Sequence, residues 1–338
     1  MSAKLRWGIL GTGNIAAQFT AGLKASRRGL ATAVGSRSEQ TAQAFAKTHG
    51  VARAVAGYDA LVADPQIDAI YNALPNSLHA DWTIRASQAG KHVLCEKPLA
   101  LDAAEAQRMF EAAEKSGRIL AEAFMYRSHP QTLAVMDAVR SGAIGQLRLI
   151  RSSFCFRTRN TEGNVRFVRE LGGGALMDIG CYCINFARLF AAAEPAAIHA
   201  VAKFHDCGVD ELAAATLLFP NGIISSFTCG MRVHADNTAY LCGTEGFIEI
   251  PVPWKPPPSS RFLITRGNEP RMDRPQSTSP PPRDVRTIDA PGDMYGLEAD
   301  DFAAAVLDGQ PPRISREDSI GNMRVLDEMR RQIELEFQ

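Results

Sequence analysis

The 338-residue chain balances 37 Lys and Arg against 37 Asp and Glu, which excludes a nucleic-acid surface, since that needs a basic excess or stripe. Its 46% apolar and 22% charged content excludes disordered and collagen-like chains, and no apolar run approaches the roughly 20 residues that span a bilayer. Seven cysteines scattered in apolar stretches, with no signal-peptide run after Met1, predict reduced thiols and a cytoplasmic protein, while the length suits two domains.

Arg6–Leu10 reads as a strand running into Gly11-Thr12-Gly13-Asn14-Ile15-Ala16 and a helix to about Ser26. That order is the one a dinucleotide site requires. Gly11 makes the tight turn, Gly13 lets the backbone approach a pyrophosphate, and Ala16 keeps helix and sheet close. The helix N-terminus, with Asn14 and Ile15 in its first turn, offers N–H groups and partial positive charge to the phosphates.

The second strand, Leu30–Gly35, ends at Ser36-Arg37-Ser38. NAD sites place a carboxylate there for the ribose 2′-hydroxyl, whereas Ser36 and Arg37 suit a 2′-phosphate, so NADP is expected ahead of NAD. The alternative is a solvated Arg37, with Glu39 reaching back to the ribose. Helices are predicted at Glu39–His49 and Tyr58–Ala63, and the third strand at Ala69–Ala73. The following turn carries Leu74, Pro75, Asn76 and His79, which with Asn72 are expected to reach the nicotinamide ribose.

In Gly90–Pro98 a short apolar run, Val93-Leu94-Cys95, ends abruptly in Glu96-Lys97-Pro98. It reads as a buried strand delivering two charged side chains to its carboxyl end, where open α/β sheets bind ligands. The Lys97–Pro98 bond is free to be cis or trans on sequence grounds. A helix at Ala103–Ser116 and a strand at Ile119–Ala123 complete an alternating, doubly wound α/β domain over residues 1–123.

From residue 124 to 338 the pattern changes. An amphipathic helix over Gln131–Ser141 precedes alternating runs at Leu147–Phe156, Ala197–Phe204, Leu212–Phe219, Ile223–Cys229, Ala239–Leu241 and Phe247–Ile250. These predict an α+β domain with a large open, mostly antiparallel sheet, interrupted by a helix over Ala175–Ala192. Pro251–Pro291 holds 11 of the 19 prolines and is predicted to be loop with one edge strand at Arg261–Thr265. Helices at Tyr295–Leu307 and Ser315–Glu334 close the chain, and no internal repeat is present.

The second chemical stretch is Leu171–Asn185, where three glycines precede Ala175-Leu176-Met177-Asp178-Ile179-Gly180-Cys181-Tyr182. Asp178 and Tyr182 are four apart and share one helix face. A carboxylate and a phenol on an apolar helix are costly to bury unless paired, so a hydrogen bond serving only packing stays open at this point. With Lys97 they make a proton-transfer set: Tyr182 as acid and base, Lys97 lowering the phenol pKa by its charge, and Asp178 orienting the ligand or balancing the lysine.

Taken together, G-x-G-x-x-A, G-K-H-V-L-C-E-K-P and G-G-G-A-L-M-D-I-G-x-Y resemble the glucose–fructose oxidoreductase / inositol dehydrogenase / MocA family over nearly the whole chain. Within it the likeness is greatest to the dimeric dihydrodiol dehydrogenases and the NADP-dependent D-xylose (aldopyranose) dehydrogenases. The resemblance implies a Rossmann domain followed by an open-faced sheet used for oligomerisation, hence a homodimer or homotetramer. It implies Lys97 and Tyr182 as catalytic, Asp178 beside the substrate, and Glu96 and Pro98 in the cofactor site. Inositol dehydrogenases carry histidine at the last motif position, so Tyr182 argues against inositol. Tyr126 and Arg127, after the fifth strand, are expected to line the substrate pocket, with Phe154, Phe156, Asn164 and Arg166 closing it. The expected activity is oxidation of a sugar or cyclic polyol, foremost an aldopyranose such as D-xylose or D-glucose at C1 to the lactone. The alternatives are trans-dihydrodiol oxidation, keto-sugar reduction, or a sensor that binds NADP without catalysis. No metal is expected.

Overall fold

The computed structural model describes residues 4–267 and 282–334. Its first sheet is built from β1 (Leu5–Leu10), β2 (Gly29–Ser36), β3 (Arg53–Ala56), β4 (Ala69–Asn72), β5 (His92–Glu96) and β6 (Leu120–Ala123), with α1 (Asn14–Leu23), α2 (Glu39–His49), α3 (Tyr58–Val62), α4 (His79–Gln88) and α5 (Ala103–Lys115) between them. The strands are all parallel, in the order β3-β2-β1-β4-β5-β6. The order reverses between β1 and β4, and in doubly wound sheets the crevice for a ligand opens at that point, beyond the strand ends. β3 is an addition to the predicted elements: its four residues are half-exposed and short, too brief for an alternation signal.

After α6 (Pro130–Arg140) the chain forms a second sheet from β7 (Leu147–Cys155), β8 (Ala197–Phe204), β9 (Asp210–Leu218), β10 (Ile224–Gly230), β11 (Ala239–Gly243), β12 (Gly246–Ile250), β13 (Ser259–Arg266) and β14 (Arg283–Asp289). The order is β14-β13-β12-β11-β7-β10-β9-β8, antiparallel except for the β7–β10 pair. The proline-rich stretch was expected to hold one edge strand. It holds two, and β13 is interior, because the prolines fall outside β13 and β14 and leave both ladders intact. Part of that stretch, residues 268–281, lies outside the described residues.

Between β7 and β8 runs α7 (Cys181–Ala191), entered through a wide π-type turn at Leu176–Gly180 instead of regular helix. The chain closes with α8 (Met294–Asp308) and α9 (Arg316–Gln332). α8 returns to the first sheet. Trp7 of β1 sits between Phe19 of α1 and Phe302 of α8, at 5.2 and 5.3 Å between ring centroids. Ser26 and the backbone of Arg28 bind Asp300. Ala103 at the start of α5 is likewise capped by Asp327 of α9, at 2.9 Å. Among the described residues no helix is long and apolar enough to cross a membrane.

Candidate active site

A cleft of about 520 Å³ opens where β1, β4 and β5 end and faces α7 and the second sheet. That volume falls within the roughly 300–1,000 Å³ range of small-molecule sites. At one end lies Gly11-Thr12-Gly13-Asn14-Ile15, and at the other Glu96, Lys97, Asp178 and Tyr182. Gly11 has φ +97, a backbone angle that a side chain disfavours. A Cβ built on Gly13 meets no heavy atom within 4 Å, so the space before the first turn of α1 is open to a ligand. That open space, with the α1 N-terminus behind it, fits the pyrophosphate of a dinucleotide.

At the reacting end β5 delivers Glu96 and Lys97, and the Lys97–Pro98 bond is cis. The Lys97 ammonium donates to the Asp178 backbone carbonyl at 2.7 Å and to Asp178 Oδ1 at 3.1 Å. The other carboxylate oxygen, Oδ2, accepts from Arg166 Nε at 2.6 Å. Burial acts to raise the Asp178 pKa, but Lys97 and Arg166 outweigh it, and the net direction is down. For Lys97 burial acts downward, while Asp178, Cys181 and Glu96 carry the pKa above its ordinary value. The pair is therefore ionised.

Tyr182 differs from expectation. Its hydroxyl donates to Met125 Sδ at 3.3 Å, and the Lys97 ammonium lies over the ring, 5.2 Å from its centroid. Burial first, and then the field of Glu96, pushes the phenol well above its ordinary pKa. Tyr182 is thus a neutral proton donor in this state, where the sequence reading expected Lys97 to lower its pKa. Phe154 and Trp254 complete an aromatic wall around it: Phe154 meets Tyr182 edge-on at 5.3 Å and stacks on Trp254 at 5.6 Å.

Glu96 is buried. Its Oε1 accepts the hydroxyl of Tyr71, and its Oε2 faces the Lys97 N–H at 3.3 Å. Burial raises its pKa, with Lys97 and Tyr71 opposing.

Of the other expected contacts, Leu74, Asn76 and Phe156 line the cleft, and Asn76 Nδ2 also donates to the Gly172 carbonyl at 2.8 Å. His79 touches the same wall, but each ring nitrogen lies 2.9 Å from a carbonyl, of Pro98 and of Leu74. Burial pushes its pKa down to about 4. It ties the Leu74 turn to the Lys97–Pro98 segment and has no nitrogen left for a ligand. Asn72 is buried and braces the same turn, bonding the His79 carbonyl and Thr83.

Three substrate expectations fall outside the cleft. The Tyr126 hydroxyl donates to Asn185 Oδ1 at 2.6 Å, behind Tyr182. Arg127 donates to the same oxygen at 3.0 Å and to Asp318 at 2.8 Å. Both are buried because the chain after β6 turns inward under α7. Asn164 caps a short 3₁₀ turn by accepting the Arg166 N–H at 3.1 Å, and the neighbouring Arg166 faces the cleft in its place. Ser36 is buried at the end of β2, and Arg37 beside it is exposed. Neither is part of the cleft wall described above. Gly35, just before them, accepts the Gly11 N–H at 3.0 Å.

The sequence reading missed Gln18, Lys255 and Tyr295, which also line the cleft. They come from the middle of a helix, a proline-rich strap and the start of α8, and no local pattern brings them together. Asp210 of β9 was missed as well. Its Oδ2 accepts the Leu176 N–H at 2.7 Å, holding the start of the turn that carries Asp178.

Comparisons with known proteins agree with this architecture. Residues 5–124 match the family described as "Oxidoreductase family, NAD-binding Rossmann fold", and residues 132–249 match the "GFO/IDH/MocA C-terminal domain". The chain is 34% identical to a D-xylose 1-dehydrogenase (NADP(+)) of Haloferax volcanii, covering 96% of this chain and 95% of that one. It is 35% identical to a trans-1,2-dihydrobenzene-1,2-diol dehydrogenase of Danio rerio, over 97% of each. A 3-ketoreductase from Actinomadura kijaniata, crystallised with NADP and TDP-benzene, superposes with a TM-score of 0.86 at 33% identity over 98% of both chains. With both halves matched and such relatives aligned end to end, the chain belongs to the GFO/IDH/MocA family of oxidoreductases.

Proposed function

We propose that the protein is an NADP-dependent oxidoreductase that moves hydride between a sugar or cyclic polyol hydroxyl and nicotinamide. The observation that carries this reading is the placement of Lys97, Asp178 and Tyr182 at one end of a cleft whose other end is the Gly11–Ile15 turn. Residues 1–123 serve as the dinucleotide-binding unit and 124–338 as the substrate and oligomerisation unit. Gly11, Gly13, Asn14 and Ile15 would hold the pyrophosphate; Leu74, Asn76 and Glu96 the nicotinamide half; and Ser36 and Arg37 the 2′-phosphate. Bound nicotinamide supplies or accepts the hydride. Lys97 holds the substrate oxygen and stabilises negative charge developing there, Tyr182 exchanges the hydroxyl proton with that oxygen, and Asp178 keeps the ammonium ionised and aimed. Phe156 and Arg166 face the substrate from the second unit.

Among substrates we place an aldopyranose first, oxidised at C1 to the lactone, in keeping with the xylose-oxidising relative. Keto-sugar reduction is the second reading, and one feature favours it: Tyr182 is held as a neutral phenol, the form that donates a proton to a carbonyl.

The test is absorbance at 340 nm with NADP or NAD across aldoses, inositols and trans-dihydrodiols, with NADPH oxidation on keto-sugars in parallel. NADP reduction by an aldopyranose is the expected result. Turnover on keto-sugars alone would move the reading to a reductase. A Lys97→Met or Tyr182→Phe variant that kept most of its turnover would sink the assignment of these two residues.

The register places Val201, Leu218 and Ile224 on one face of the second sheet, and each is at least 43% exposed. We read that face as the homodimer or homotetramer contact, to be checked by light scattering. Seven unpaired cysteines support a cytoplasmic location.

A further inference from the structure

One cation in the cleft, Lys255, forms no salt bridge among the described residues, and Glu96 and Asp178 reach it only through their fields. Lys97 and Arg166 both bind Asp178, whereas Lys255 Nζ donates to a neutral acceptor, Gln18 Oε1, at 3.1 Å. The lysine belongs to the strap joining β12 to β13, and Gln18 lies on α1, so the contact spans the cleft from the second sheet to the first.

The strap is anchored. Trp254, next to the lysine, donates its indole N–H to the Ser153 carbonyl at 2.7 Å and stacks on Phe154. Pro253 and Pro256 flank the pair and restrict its backbone. On the far side, Gln18 Nε2 reaches back toward the Asn14 carbonyl at 3.4 Å, and the Tyr295 hydroxyl shares Gln18 Oε1 at 3.2 Å. A helical side chain leans toward its own N-terminus, so Gln18 brings Lys255 toward the turn where the phosphates would lie. Burial of the ammonium against the cleft walls, followed by repulsion from Lys97, outweighs the pull of Glu96 and Asp178 and lowers the Lys255 pKa. That is the behaviour of a charge short of a counter-ion. A phosphate oxygen would serve it better than an amide, since it adds the attraction of opposite charges to the hydrogen bond.

Given the dinucleotide reading above, we propose that Lys255 is a cross-cleft clamp on the cofactor pyrophosphate and sets how long the dinucleotide stays bound. On binding, the ammonium exchanges Gln18 for a pyrophosphate oxygen. The strap then bridges the two units through the ligand.

The test is the release rate of NADPH and of NADH, followed by stopped-flow fluorescence on the full chain with Lys255→Gln and Lys255→Arg. Lys255→Gln is expected to speed release of both cofactors by about ten- to a hundredfold and by the same factor, because both carry the pyrophosphate. Lys255→Arg, which keeps the charge, is expected to stay within about threefold of the native rate. Unchanged release in Lys255→Gln would overturn the clamp. So would acceleration confined to NADPH, which would put the lysine on the 2′-phosphate, or an arginine variant as fast as the glutamine one. If the native protein bound neither cofactor, the dinucleotide reading itself would fall. That outcome is distinct from a native protein that binds tightly and a Lys255→Gln variant that does the same.

Discussion

Lys97 grips Asp178 twice, at its backbone carbonyl and at Oδ1, 2.7 and 3.1 Å from one ammonium. The double contact joins the end of β5 to the turn before α7, two segments 81 residues apart. It also fixes the charge of both groups, since the carboxylate raises the lysine pKa against burial and the lysine lowers that of the carboxylate.

Asp178→Asn should therefore lower the Lys97 pKa, leaving burial and Arg166 to act without the main opposing charge. The basic limb of the kcat/KM profile is expected to move to lower pH, with activity near pH 8 down by about ten- to a hundredfold. A basic limb that stayed in place would show that the lysine charge does not govern the rate.

Arg37→Ser tests the cofactor preference. The side chain is exposed at the end of β2, so the fold should be untouched. Loss of a charge-assisted contact to the 2′-phosphate should cost about ten- to a hundredfold in kcat/KM for NADP, with NAD little changed. Equal losses for both cofactors would place Arg37 elsewhere on the ligand.

Gly174→Ala should be among the most destabilising single changes. Its φ is +118, and a Cβ there would collide with Asp210 Oδ1, the carboxyl group that holds the Leu176 N–H through its other oxygen. Backbone strain and overpacking together predict a loss of at least about 2 kcal/mol by denaturant unfolding. Native stability would mean that the β9 contact can move aside freely.

Glu122 gives the fold a pH dependence. Burial pushes its pKa up to about 8, although Oε1 accepts the Leu99 N–H at 2.9 Å. Folded Glu122 keeps its proton where the unfolded chain, with a pKa near the ordinary carboxylate value, has lost it. Its stabilising share is thus full below about pH 4.5 and falls as pH rises toward 8. Glu122→Gln should flatten that decline, raising Tm at pH 8 by more than at pH 5. An equal change at both would show that Glu122 is not the group that titrates.

Much of the active-site chemistry was legible locally because it rests on short segments whose geometry is set within a few residues. The Gly11–Ala16 turn needs only a strand, a glycine at positive φ and a helix start. The Glu96-Lys97-Pro98 end needs only an apolar strand that stops. Period-2 alternation likewise marked most of the second sheet. The misreadings fall where long-range packing chooses among equivalent local forms. Tyr126 and Arg127 follow a strand end just as pocket residues would, yet burial of α7 against α9 draws them to Asn185 and Asp318. His79 opens a helix beside the cleft, but its two ring nitrogens face the backbone carbonyls of Pro98 and Leu74. Tyr182 was placed by motif, whereas its protonation depends on the depth of burial and on which group its oxygen meets.

The sequence by itself determined the fold class and marked Lys97, Asp178 and Tyr182 as candidates, because those follow from local backbone chemistry, and the motifs carrying them resembled the family. Only the tertiary structure decided what stands across from them: which of the expected pair Asn164 and Arg166 faces the cleft, α8 as the cover of the first sheet, and Lys255 spanning the cleft to Gln18. The Gln18–Lys255 and Ser26–Asp300 contacts join residues 237 and 274 positions apart. They are selected by which buried groups must find partners once the two sheets come together, and no local pattern in the chain encodes that requirement.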